Sequence, residues 1–448
     1  PLNARNLKSV AVIGPNADNV QFGDYTWSKK KEDGVTPLQG IKNLLGDRVK
    51  INYAKGCSLA SLDTSGIAEA VARHSDVALI FVGSSSTAFV RHTQEPSTSG
   101  EGIDLSDISL TGAQEQLIRE VFAVGKPVVV ILVAGKPFAI PWVKENIPAI
   151  LAQWYAGEQE GNSIADILFG NVNPSGKLTF SFPQSTGHLP VYYNYLPTDK
   201  GYYKEPGTYE KPGRDYVFSN SSPLWAFGYG LSYTQFEYLK AVTDKELYQA
   251  NDTVCVTVQL KNTGKRTGKE VIQVYMRDVV SSVMTPVKQL KGFRKVDLLP
   301  GQTRETTIMI PVHEFYLTDD LGNRYLESGK FELQVGTSSD RIYFNLPVYI
   351  GSSGKGGQTV SGTSFKSRTD GKVIQVKGTV RDIQATPLAR VKVQSEESGE
   401  SALTDYRGTY TIKVKDNGRL IFSKKGFADK TIEVEGQTDV SIQMAKGE

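Results

Sequence analysis

The chain has 448 residues, 39% apolar and 22% charged, with a formal net charge of +3; at about 100–200 residues per domain that is two to four domains of ordinary folded composition. No Lys/Arg cluster gives a footprint for nucleic acid, and two cysteines, Cys57 and Cys255, exclude a disulfide scaffold and a cysteine zinc site. No apolar run reaches the about 18 residues of a membrane span.

From residue 8 to about 170, short apolar runs alternate with helical periodicity. Residues 10–13, 49–53, 77–82, 128–133 and 149–154 predict strands; 37–45, 64–74, 112–124 and 164–169 predict helices. Val128-Val129-Val130-Ile131-Leu132-Val133 is apolar at every position, as a strand buried on both faces reads. The expectation for 1–235 is an α/β sandwich, a mostly parallel sheet with helices on both faces.

Within that span, nine tyrosines fall between Tyr192 and Tyr233, and Pro183, Pro190, Pro197, Pro206, Pro212 and Pro223 interrupt regular structure. An aromatic-pinned connection over the surface is expected, with sugar stacking as the other use of such density.

The period becomes two in residues 236–350. Val254, Val256, Val258 and Leu260 share one face, while Thr253, Cys255, Thr257 and Gln259 share the other. With further runs at 271–276, 306–310, 330–335 and 342–347, this predicts an antiparallel β-sandwich, with Cys255 inert on its polar side. Nine of residues 351–364 are Gly or Ser, so 351–370 reads as a flexible linker. Residues 371–448 alternate again at 373–380, 391–394, 409–414, 419–422, 431–434 and 440–444, predicting a second, smaller β-sandwich.

Ligands of open α/β sheets sit at the carboxyl ends of the strands. After the strand predicted at 77–82, Gly83-Ser84-Ser85-Ser86 opens a polar stretch reaching Ile108, longer than a compact domain carries without a purpose. It bears His92, Glu95, Glu101 and Asp104. Glu101 stands between Gly100 and Gly102, whose backbone freedom lets a carboxylate project from a tight turn. The plainer reading is a solvated loop with ordinary surface charge. Gly14-Pro15-Asn16-Ala17-Asp18 lacks the glycine spacing of a dinucleotide site, and no Walker sequence or Gly-x-Ser-x-Gly elbow occurs. His74, His92, His188 and His313 lack metal-ligand spacing, so neither metal nor cofactor is expected.

Several segments together resemble the α/β-sandwich domain of glycoside hydrolase family 3. They are Val10-Ala11-Val12-Ile13-Gly14-Pro15-Asn16-Ala17-Asp18, Gly23-Asp24-Tyr25, Ser99-Gly100-Glu101-Gly102, Gly125-Lys126-Pro127, Trp154-Tyr155-Ala156-Gly157-Glu158-Gln159, Asn173-Pro174-Ser175-Gly176 and Phe227-Gly228-Tyr229-Gly230. Leu290-Lys291-Gly292-Phe293 and Leu299-Pro300-Gly301 resemble that family's fibronectin type III-like domain, so the likeness covers about residues 1–350. Gly378-Thr379-Val380, Pro387-Leu388, Thr404-Asp405 and Gly408-Thr409-Tyr410 are similar to a carboxypeptidase-regulatory-like sandwich, with Ala385-Thr386 where a glycine is usual.

The resemblance implies a retaining, exo-acting β-glucosidase or β-xylosidase acting on a β-linked oligosaccharide or glycoside. Its acid/base glutamate matches Glu101, with Glu95 as second candidate. Retention needs two carboxyl groups about 5–5.5 Å apart, one protonating the leaving oxygen and the other attacking the anomeric carbon. The family's nucleophile is an aspartate on an amino-terminal (β/α)8 barrel, in a Ser-Asp-Trp-like motif that these 448 residues do not contain. Pro1-Leu2-Asn3 resembles the end of the segment joining barrel to sandwich. The resemblance thus implies the carboxyl-terminal part of a larger enzyme, partnered by the barrel, inactive alone, and periplasmic or extracellular.

Members often place Asp-Arg after the glutamate, where this chain has Asp104-Leu105. Trp27 is read as a sugar platform or as packing, and Arg91 and His92 as hydrogen-bonding to sugar hydroxyls or the neutral acid, or as surface residues. Glu158 reads as a structural residue opening a helix, where a carboxylate satisfies free N–H groups. The competing reading is a non-catalytic carbohydrate-binding or scaffold protein built from the same domains.

Overall fold

Alternation of strand and helix over the first 170 residues builds a single parallel sheet. The computed structural model describes residues 1–28, 30–86, 96–197, 208–212, 216–351, 372–384, 386–396, 398–416, 418–434 and 437–446. In chain order the elements are β1 (Ser9–Ile13), α1 (Pro37–Leu45), β2 (Lys50–Ala54), α2 (Ile67–Arg73), β3 (Val77–Gly83), α3 (Gln114–Ala123), β4 (Val128–Val133), α4 (Pro141–Asn146), β5 (Ala149–Ala152) and α5 (Glu160–Leu168). The strands lie in the order β2-β1-β3-β4-β5, every pair parallel.

β3 and β4 are buried throughout, and their alternate residues feed two different cores. Ala78, Ile80, Val130 and Leu132 pack with Ala68 of α2, Leu117 of α3 and Val143 of α4. Leu79, Phe81, Val129 and Ile131 pack with Ile41 of α1 and Ile164 and Leu168 of α5. Each fully buried side chain of this size contributes about 1.5–3 kcal/mol, so two-faced burial is the main support of the sheet. α4 has no counterpart in the sequence reading. Its six residues, begun by Pro141, are too few to display a helical period.

The aromatic connection is fastened to its neighbours. Phe182 pairs through its backbone with Trp225, and their rings meet edge to face at 5.4 Å. Tyr193 stacks on Phe227 at 4.1 Å and meets Tyr275 edge-on at 5.8 Å. Residues 198–207 and 213–215 of this stretch lie outside the described residues.

The following region is β-rich. One sheet runs Gln289–Leu298, Gly268–Asp278, Gly329–Gly336, Ile342–Ile350, Leu247–Tyr248; the other runs Thr303–Pro311, Thr253–Asn262, Phe236–Thr243. Val254, Val256, Val258 and Leu260 enter a core shared with Ile272, Val274, Leu333 and Val348 of the first sheet. Cys255 is half-buried on the opposite face, and neither it nor the buried Cys57 forms a disulfide. The sequence analysis predicts no strand at Gln289–Leu298 or Phe236–Thr243: Val296 and Leu298 are buried only at the end of the first, and the buried Tyr238 and Ala241 stand three apart in the second, which shows no period of two.

Residues Pro1–Gly354 form one compact unit. Gln273 Nε2 donates to Gly228 O at 3.0 Å and to Thr337 O at 2.5 Å, and Lys177 pairs with Glu270 at 2.8 Å in a largely buried ion pair. The second unit, Lys355–Glu448, has its own core around Val376, Val393, Ile412, Leu420 and Phe422. Its strands form a three-stranded and a four-stranded sheet. The predicted linker lies almost wholly outside the described residues. Among the described residues, no helix is long and apolar enough to cross a membrane.

α1 and α5 approach backbone to backbone: a Cβ on Gly40 would lie 2.0 Å from the Gly161 carbonyl oxygen. Helix propensity alone makes Gly40→Ala stabilising by about 1 kcal/mol. Overpacking against an unyielding backbone costs about 1–3 kcal/mol or more and outweighs it. Gly40→Ala is therefore expected to lower the denaturant midpoint and Tm; a stabilised variant would contradict this packing.

Candidate active site

The strand order reverses between β1 and β3, so the loops leaving their carboxyl ends diverge and open a crevice. Short polar contacts line its floor. Gln21 Nε2 donates to Asn16 Oδ1 at 2.9 Å, and Asn16 Nδ2 to Ser84 O at 3.4 Å. Tyr155, beyond β5, shares a 2.6 Å hydrogen bond with Ser84 Oγ. Burial pushes the Tyr155 hydroxyl above its ordinary 10, with hydrogen bonds from Ser84 and Ser99 opposing, so the phenol stays protonated.

The segment bearing Glu101 is moored to that floor. Ser85 N donates to Thr98 Oγ1 at 3.2 Å, Thr98 N to Ser85 O at 3.0 Å, and Lys136 Nζ to Thr98 O at 2.8 Å. Burial lowers the Lys136 ammonium pKa, and the charge of Asp104 works against that. Ile103 N closes a turn onto Gly100 O at 3.1 Å, with Gly100 at φ +130° and Gly102 at φ +73°. Glu101 sits between them with an exposed side chain, and its N–H donates to Asp24 Oδ2 at 2.9 Å. Asp24 Oδ1 accepts a hydrogen bond from the Ser86 hydroxyl.

Trp27 is 73% exposed, and its Nε1 donates to Glu158 Oε1 at 2.8 Å. Arg91, His92 and Glu95 lie outside the described residues. Glu158 does not open a helix. The chain turns at Gly157 (φ +76°) and α5 starts only at Glu160, with Gln159 as its N-cap. Glu158 is exposed, its carboxylate holding the Trp27 indole and its carbonyl accepting Val35 N at 2.7 Å.

Residues 1–233 match the glycosyl hydrolase family 3 C-terminal domain, and 270–339 a fibronectin type III-like domain. The chain belongs to glycosyl hydrolase family 3. Within it, a beta-xylosidase of Formosa agariphila is 39% identical over 351 residues, 76% of this chain and 45% of that protein. A periplasmic beta-glucosidase of Salmonella typhimurium is 36% identical over 359 residues, 75% of this chain and 45% of that protein. The crystal structure of a beta-glucosidase from Listeria innocua in complex with isofagomine has a TM-score of 0.66 and 32% identity, covering 79% of this chain and 47% of that one. The chain thus spans about half the length of the relatives it matches.

Two residues beside this crevice carry no clear signal in the sequence. Asp24 lies within Gly23-Asp24-Tyr25, where nothing local gives it a role. Glu160 was not singled out, although it precedes the buried Ile164 and Leu168 by four and eight positions on one helical stripe. Glu160 is fully buried, with Gln21 N donating to its Oε1 at 3.3 Å. The Gln153 amide lies beside it, but its geometry falls short of a hydrogen bond. Both Gln153 polar atoms and Glu160 Oε2 lack a partner among the described residues. Burial lifts the Glu160 carboxyl from its ordinary 4.5 to about 8, the Gln21 amide and Gln153 side chain only partly opposing it.

The folded chain therefore keeps a proton that the unfolded chain releases near pH 4.5, and stability falls as pH rises from there to about 8. Against Glu160→Gln, which stays neutral, wild type should lose on the order of several kcal/mol across that window. Denaturant unfolding of both proteins between about pH 5 and 8 checks this; parallel pH profiles would contradict it.

Proposed function

We propose that this chain is the carboxyl-terminal part of a retaining, exo-acting β-glycosidase in which Glu101 is the general acid/base. The observation that carries the reading is the position of Glu101. It stands exposed on a glycine-flanked turn beside the β1/β3 crevice, in a chain aligned with β-glucosidases and β-xylosidases. Matching about half of those relatives' length leaves room for an amino-terminal (β/α)8 barrel bearing the aspartate nucleophile. The 448 residues alone then turn over essentially nothing.

In this reading Glu101 protonates the glycosidic oxygen as the nucleophile attacks the anomeric carbon. The resulting carboxylate next removes a proton from the water that releases the sugar. Trp27 offers an indole face to a sugar ring, its edge pinned by Glu158. Arg91 and His92 supply hydrogen bonds to substrate hydroxyls. The substrate is a β-linked glucoside or xyloside, and a periplasmic relative supports action outside the cytoplasm.

The domain limits we propose are 1–235, 236–350, a linker over 351–370, and 371–448. The two small sheets of the last unit, with Gly408-Thr409-Tyr410, support a carboxypeptidase-regulatory-like sandwich there.

Glu101→Gln in the whole enzyme should slow substrates with poor leaving groups by about 10²-fold or more. Activated aryl glycosides, which need no proton at the first step, should lose far less in glycosylation, read as kcat/KM. Equal loss in both classes would remove Glu101 from this role.

A further inference from the structure

We propose that Asp24 is the positioning residue for the acid/base: one carboxylate, reaching across from the β1 loop, holds both stems of the segment that presents Glu101. The proposal rests on the assignment of Glu101 as acid/base.

The two hydrogen-bond donors come from either side of that segment. Ser86 gives its hydroxyl to Asp24 Oδ1, and Glu101 gives its backbone N–H to Oδ2 at 2.9 Å. These partners are 62 and 77 residues from Asp24 in sequence, so the contact joins two loops on opposite sides of the β1/β3 crevice. Hydrogen bonds to an ionised acceptor are about twice as strong as neutral ones, which suits one carboxylate to join two loops.

Gly100 shows how closely the turn is seated. A Cβ there would stand 2.5 Å from Asp24 Oδ2 and 2.8 Å from Oδ1, and its φ of +130° disfavours any other residue. Asp24 is itself delivered by a turn at Gly23, φ +90°, set beside the Tyr155 ring.

Positioning is the role that fits these contacts. Both Asp24 oxygens accept from protein donors, one on each of the two loops, which ties the carboxylate to holding them together. A glycine-flanked turn left unpinned samples many backbone states. A general acid displaced by about 1 Å can lose about 10²-fold in rate. Asp24 removes that freedom at the backbone atom adjoining the Glu101 side chain.

The test has a structural arm and a kinetic arm. In the 448-residue chain, Asp24→Ala should accelerate amide exchange at Glu101 by about tenfold or more, while β3 and β4 amides are unchanged. Asp24→Asn, whose amide can still accept from Glu101 N, should retain most of the protection. In the whole enzyme, Asp24→Ala and Gly100→Ala should each reproduce the leaving-group signature of Glu101→Gln. The double variant should be little worse than either single, because both break one contact.

Unchanged exchange at Glu101 in Asp24→Ala would overturn the proposal whatever the kinetics. Faster exchange with equal loss on activated and poor leaving groups would also overturn it, leaving Asp24 a structural residue or the nucleophile. If Glu101→Gln itself shows no leaving-group dependence, the acid/base assignment fails and the positioning role falls with it. The exchange data would then still report whether the hydrogen bond exists.

Discussion

A parallel sheet needs crossover connections, and these cover both of its faces. In this chain that constraint is met by β3 and β4, buried at every position and shared between two apolar cores. Apolar burial on both faces leaves the carboxyl edge of the sheet as the place for polar chemistry. The strand order then selects one position along that edge. Only between β1 and β3 do successive loops part, and there the Asp24 and Glu101 loops meet.

The edge is layered by burial. Lowest is Glu160, buried and kept neutral to about pH 8, joined through Gln21 and Asn16 to the Ser84 carbonyl. Above it the protonated Tyr155 hydroxyl and the Ser84 side chain share a hydrogen bond. Asp24 and the exposed Glu101 come next, joined by the hydrogen bond from Glu101 N to Asp24 Oδ2. Burial keeps the Glu160 carboxyl neutral, whereas the Glu101 side chain faces solvent.

Much of this was legible in the residues. Val128–Val133 could only be a doubly buried strand, and the helix predicted over 37–45 is α1 residue for residue. Gly100 and Gly102 announced a turn around Glu101, and that turn is present. Glu160 was readable in principle from its stripe with Ile164 and Leu168, but two neighbouring acidic or amide residues, Glu158 and Gln159, obscured where α5 begins. Gln289–Leu298 and Phe236–Thr243 were hidden because their buried side chains sustain no alternation along the strand. Asp24 was beyond reach: its partners are distant in sequence, and no local pattern encodes a tertiary hydrogen bond.

The central claim is that this chain supplies the proton donor of a double-displacement reaction completed by a nucleophile elsewhere in the enzyme. Azide trapping on the whole enzyme carrying Glu101→Ala examines it most directly. With an activated aryl β-glycoside, the account predicts that azide raises turnover and yields a glycosyl azide of β configuration, because the anion needs no base to attack the glycosyl-enzyme. No acceleration, or an α-configured product, would contradict it.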